Sequence, residues 1–169
     1  MADWRSVPGS RLEIWVPILI VVLDQATKAL VRELLPLHAS VPIVEGLLNF
    51  THVRNTGAAF GFLDTADLPW KNVLIAAIAF GALIGVGIYS TSLARHQIVA
   101  RIGLALIVGG AAGNLIDRVA IGSVVDFVDV YWRTYHFWAF NVADSAITVG
   151  VTIMILDMLG TGSHVSNTA

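Results

Sequence analysis

Two carboxylates in this sequence have surroundings that suit chemistry. Asp126 lies in Gly122-Ser123-Val124-Val125-Asp126-Phe127, and Asp144 lies in Phe140-Asn141-Val142-Ala143-Asp144. Small and apolar residues flank both. An ionised carboxylate is costly to hold in low dielectric. Two brought together share a proton, because both cannot ionise cheaply side by side. Such a pair can activate a water as general base and protonate a leaving group as general acid. Asp129 competes with Asp126 for this role, but Tyr131, Trp132, Tyr135, Phe137 and Trp138 follow it. That aromatic belt suits a membrane–water interface, so Asp129 is expected near headgroups and water.

The elements that must position the pair are apolar spans. Of 169 residues, 56% are hydrophobic and only 13% charged, where a soluble domain carries about 25% charged residues. The composition implies a polytopic membrane protein of one domain. A net charge of -2 gives no nucleic-acid footprint. The absence of cysteine excludes disulfides, thiol catalysis and cysteine-ligated metal. A crossing needs about 20 apolar residues, and four candidates run over about 12–34, 70–89, 98–116 and 140–159. An even number places both termini on one side. Arg5 and Arg11 precede the first apolar run, but no small-residue cleavage site follows it, so it reads as a retained span. Residues 160–169 are small and polar and are expected to lack regular structure.

Polar residues punctuate these spans. Asp24 and Lys28 are one helical turn apart and can pair; they read either as a structural ion pair or as a wall of a site, and Lys28 could also snorkel to the interface. The connection over 35–69 is too long to be minimal. Pro36 and Pro42 break helix there, and Leu47 to Arg54 favours strand or turn. Asn55 and Gly57 sit in the glycine-containing stretch that follows. Gly81 and Gly85 form a small-xxx-small pair expected to let helices approach, as do Gly109 and Gly113. Asn114 needs a partner if buried. Asp117 and Arg118 read as an interface anchor or a paired structural charge. Asn141 lies three residues before Asp144, within reach of it on a helix. His38, His52 and His136 lack metal-site spacing. The third and fourth spans are consecutive and antiparallel, so Asp126 and Asp144 can meet at one membrane face, on the side of the long first connection. The distribution of Lys and Arg does not decide which face this is.

Five blocks, in order, carry a resemblance to a known family. They are Asp24-Gln25-Ala26-Thr27-Lys28, Asn55 to Phe60, Gly109 to Arg118 (G-G-x-x-G-N-x-x-D-R), Gly122 to Phe127 (G-x-V-x-D-F) and Phe140 to Asp144 (F-N-x-A-D). The chain resembles the bacterial lipoprotein signal peptidases, or type II signal peptidases. The resemblance implies an all-α membrane fold of four transmembrane helices with a small extracytoplasmic, β-containing platform. It implies an aspartic endopeptidase of the inner membrane, with both termini cytoplasmic and the site near the periplasmic face. The implied substrate is a diacylglyceryl-modified prolipoprotein, cleaved just before its lipidated cysteine. Asp126 and Asp144 would be the catalytic pair. Asn55, Gly57, Asn114, Arg118, Asn141, Asp24 and Lys28 would orient them or hold the substrate backbone. No cofactor or metal is implied, the other partners are membrane lipid and the inhibitor globomycin, and a monomer is expected. Two rival readings use the same residues differently. In one, Asp24, Asp126 and Asp144 form a proton relay of a transporter; in the other, the carboxylates of a non-enzymatic adaptor are only structural.

Overall fold

The computed structural model describes residues 9–57, 70–94 and 96–162. The elements run α1 (Gly9–Leu34), β1 (Ser40–Val44), β2 (Leu48–Asn55), α2 (Lys71–Ser92), α3 (Ile98–Ile121), β3 (Val124–Trp132), β4 (Tyr135–His136) and α4 (Val142–Gly162). All four helices are long and apolar enough to cross a membrane, and the strands form one antiparallel sheet in the order β1-β2-β3-β4. The expected architecture of four spans with a small β-containing platform is therefore present. Residues 58–61 of the glycine-containing stretch and the tail beyond Gly162 lie outside the described residues. The helix α4 reaches Gly162, so the first residues of the expected irregular tail are helical.

Helix α3 is the central element and packs against α1, α4 and α2. Its glycines make the closest contacts. A Cβ on Gly110 would stand 2.3 Å from the carbonyl oxygen of Ala143 in α4. One on Gly113 would stand 2.6 Å from Oδ2 of Asp24 in α1. Real Cβ atoms never come so near, so only glycine lets these helices meet. Gly81 and Gly85 behave differently. No atom lies within 4 Å of a Cβ built on either, and α2 presents Val73, Ile78, Phe80, Ile84 and Ile88 outward. The close approach expected at that pair does not occur, because α2 turns this face away from the bundle.

The sheet sits at the end of the bundle where α1 and α3 finish and α4 begins. Gly122 ends α3 in the left-handed conformation, with φ 71° and its N–H bonded to the Arg118 carbonyl, the conformation glycine adopts without strain. The chain thereby turns straight into β3. Val125 and Phe127 of β3 are buried with Val31 of α1, against Leu35, Val128 and Val142. Full burial of such side chains contributes roughly 1.5–3 kcal/mol each. Alternation along the strand then fixes Asp126 on the opposite face. Pro42 is tolerated in β1 because β1 is an edge strand.

Candidate active site

Asp126 and Asp144 arrive from different kinds of element. Asp126 is on β3, paired with Val53 of β2. Asp144 is in the first turn of α4. Between them the chain makes an excursion through β4 that closes on itself: Val128 and Phe140 bond each other, donor and acceptor both ways, at 2.9 and 3.0 Å. That bridge sets Asn141 beside Asp126.

Asn141 joins the pair. Its Nδ2 donates to Oδ1 of Asp126 at 2.7 Å. Its backbone N–H donates to Oδ2 of Asp144 at 3.2 Å, while its Oδ1 accepts from the Asp144 N–H at 2.9 Å. This reciprocal arrangement is a capping box, which satisfies two otherwise orphan donors at a helix start. The other carboxylate oxygens are held from the sides. Asn55 Nδ2 donates to Oδ2 of Asp126 at 3.2 Å, and Asn114 Nδ2 donates to Oδ1 of Asp144 at 2.7 Å. All four carboxylate oxygens therefore accept at least one hydrogen bond.

Asp126 is 3% exposed. Burial first, and then the charge of Asp144, push its carboxyl up to about 7, against the opposing hydrogen bonds of Asn55 and Asn141 and the charge of Lys28. It therefore exchanges its proton near neutral pH, which is what acid–base work requires.

A second layer of charge lies beneath the pair. Lys28 is fully buried and lies 2.8 Å from Asp24 and 3.1 Å from Asp117. It also donates to Oδ1 of Asn114 at 2.9 Å, which fixes that amide with its NH2 toward Asp144. The ion pair expected between Asp24 and Lys28 is present. Lys28 does not snorkel, because two carboxylates and an amide oxygen satisfy it inside the bundle. Gln25 donates to Asp24, Asp117 and the Gly113 carbonyl at 3.1–3.2 Å. At the edge, Arg118 donates to the carbonyls of Asn114 and Gly57, at 3.3 and 3.2 Å, and Gly57 N–H donates to Oδ1 of Asn55 at 2.9 Å. The network is fully satisfied: among the described residues, the one buried side-chain nitrogen or oxygen without a partner is Nε2 of His52, in the platform.

The structure thus gathers all nine residues singled out from the sequence: Asp24, Lys28, Asn55, Gly57, Asn114, Arg118, Asp126, Asn141 and Asp144. It adds Gln25 and Asp117, neither of which the sequence placed at the site. Their signal was helical phase: Gly113, Asn114 and Asp117 share a face of α3, and Gln25 neighbours Asp24. Asp117 is a paired structural charge and not an interface anchor. Asp129 is elsewhere. It is 8% exposed and accepts from Asn49 at 2.9 Å and contacts Nδ1 of His136 at 2.9 Å. The expected open, watery setting is corrected, because the platform folds over this side chain. Among the described residues no group of three or more His, Asp or Glu side chains is placed to hold a metal ion.

Fold and site define a polytopic membrane protein with a buried carboxylate pair at one end of its bundle. A solved bacterial membrane enzyme superposes with a TM-score of 0.81 and 32% identity, each chain covered over 93% of its length. The family model of signal peptidase II matches residues 16–160. The lipoprotein signal peptidase of Geobacter metallireducens is 47% identical over 90% of this chain and 93% of its own. That of Geobacter sulfurreducens is 49% identical over 82% of this chain and 85% of its own. The chain belongs to the signal peptidase II family of bacterial membrane proteases.

Proposed function

We propose that this protein is an aspartic endopeptidase that cleaves diacylglyceryl-modified prolipoproteins just before the lipidated cysteine. The observation that carries the reading is the shared grip of Asn141 on Asp126 and Asp144, which makes them one acid–base unit at the end of an apolar bundle. The reaction follows from their environments. In this scheme Asp126, the more deeply buried of the two, holds the shared proton at rest. Asp144, more exposed than Asp126, takes a proton from water as the water oxygen attacks the scissile carbonyl carbon. Asp126 gives its proton to the carbonyl oxygen, leaving a gem-diol. In the second half Asp126 recovers a proton from a diol hydroxyl, Asp144 protonates the departing amine nitrogen, and the C–N bond breaks. One water is consumed and both aspartates end as they began. Arg118 and the backbone near Gly57 hold the substrate chain, and the lipid-facing surface of the spans receives the signal helix and acyl chains.

The same reading places the protein in the inner membrane as a monomer, with termini in the cytoplasm and the pair near the periplasmic face, and makes it a target of globomycin-type inhibitors. The test is cleavage of a lipidated prolipoprotein by purified protein in detergent, read as a gel shift. Parent protein is expected to cleave, and Asp126→Asn and Asp144→Asn, folded, to be inert. Parental cleavage by either variant removes that aspartate from the mechanism, and an inert parent removes the peptidase reading itself.

A further inference from the structure

The buried cluster beneath the pair has a connection that its ion pairing does not explain. Asp24 spends its second oxygen on α4: Oδ1 accepts the backbone N–H of Ala143 at 3.0 Å, the residue before Asp144. Asp117 reaches β3 through the oxygen that also meets Lys28: Oδ2 accepts the backbone N–H of Val125 at 3.1 Å, the residue before Asp126. Both carboxylates belong to helices, α1 and α3, that do not themselves carry the reacting residues. Each holds the backbone one residue ahead of a different aspartate. Lys28 stands between them, 2.8 Å from one and 3.1 Å from the other, with all three side chains 0–1% exposed.

The chemistry of this arrangement is directional. Two carboxylates this close repel unless a cation separates them, and in a dry bundle that repulsion is weakly screened. The ammonium turns the repulsion into attraction toward one point. Backbone N–H groups bonded to those carboxylates follow them. The spacing of Val125 and Ala143, and with it the spacing of the two aspartates, is then set from below by one side chain. Lys28 also holds the Asn114 amide that donates to Asp144, so three of its contacts end on the pair.

We propose that Lys28 is the positioning residue of this site: by holding Asp24 and Asp117 together it sets, through the N–H groups of Ala143 and Val125, the separation of Asp144 and Asp126. The proposal rests on the peptidase reading and adds to it a role for Lys28 and Asp117. It makes a demand that a merely structural ion pair does not. A displacement of about 1 Å at the reacting groups costs on the order of 100-fold in rate without altering substrate affinity. The charges acting on the pair are Lys28 and Asp24 from α1 and Arg118 from α3, and Asp117 of α3 stands against Lys28 and Arg118. Removing the cation favours the protonated pair, and removing the Asp117 anion favours the ionised pair.

The experiment measures kcat, KM and the pH–rate profile of the full chain in detergent on a lipidated prolipoprotein, for parent, Lys28→Met and Asp117→Asn. The expected result for Lys28→Met is a kcat lowered about 100-fold with KM within about twofold, and a profile displaced to higher pH. For Asp117→Asn, which keeps an acceptor for Val125, the expected loss is about tenfold, with the profile displaced to lower pH. Opposite displacements are the signature of charge acting on the pair. Parental kcat, a rise in KM alone, or unmoved profiles in the folded variants would overturn the proposal while leaving the peptidase reading intact. Asp117→Asn alone decides if Lys28→Met cannot be purified folded. An inert parent strikes at the peptidase reading instead.

Discussion

Glycines at one spacing meet two fates in this molecule. On α3, Gly109 and Gly113 are pressed against α1, at Pro17 and Ile20 and at the Asp24 carboxylate, and Gly110 between them against the Ala143 carbonyl of α4. On α2, Gly81 and Gly85 face outward with nothing within 4 Å of a Cβ position. Both pairs lie in long apolar helices, so hydrophobicity does not separate them. What separates them is the neighbouring polar chemistry. Asn114 and Asp117 follow the α3 glycines, and their partners Lys28 on α1 and Asp144 on α4 hold those helices in. Small residues permit approach, and buried hydrogen bonds decide where approach happens.

The strongest way to break this contrast is Gly110→Ala. The new Cβ would meet backbone, which cannot rotate away, so the start of α4 must shift and carry Asp144 with it. We expect cleavage to fall by more than about 100-fold and the thermal midpoint to fall with it, as overpacking costs about 1–3 kcal/mol. Gly113→Ala comes next. Its new Cβ would meet the Asp24 side chain, locked by Lys28 and Ala143; we expect a loss of about tenfold or more in kcat. Parental rates in both variants would mean that the tight α3 contacts do not set the site.

A pH series reads the cost of the buried pair directly. Asp126 is raised from 3.8 to about 7 in the folded chain. The folded state therefore binds its proton more tightly than the unfolded state, so stability contributed by this group is fully present below about pH 4 and is lost as pH rises toward 7. Asp126→Asn abolishes that loss. Its thermal midpoint, measured in detergent, should exceed the parent's by several degrees above pH 7 and by nothing below about pH 4. Equal offsets at both pH values would contradict the raised affinity. The smallest effect belongs to the open pair: Gly81→Ala should leave kcat within about twofold and raise stability by at most about 1 kcal/mol, the helix-propensity gain. A clear loss there would reveal a partner on α2.

The same contrast explains what the sequence disclosed. Asp126 and Asp144 were legible because a carboxylate among valines and alanines has few cheap explanations. Asn141 was legible because it stands three residues before Asp144, and Asp24 with Lys28 because they stand one turn apart. Asp117 was legible in part: a paired structural charge was one of its two readings, but its cation is 89 positions away in the chain, so local sequence could not choose between that and an interfacial anchor. Lys28 read as able to snorkel for the same reason, since local sequence cannot supply the second carboxylate. Asp129 shows the converse error. Its aromatic neighbours are exposed as a belt should be, with Trp132 at 69% and Tyr135 at 80%, yet pairing across the sheet to Asn49 and His136 buries the carboxylate itself. Gly81 and Gly85 carried a true capacity whose use depended on a helix face that only the assembled bundle defines.

The bridge between Val128 and Phe140 has a practical corollary. The two aspartates flank a segment whose base is tied off by its own hydrogen bonds. The exposed turn at Arg133 and Thr134 lies beyond that knot, and the strand leading to it is held by β2 and not by the pair. The turn is thus a natural port for engineering. A short fluorophore-binding tag inserted there is expected to report on the platform while cleavage stays near the parental rate.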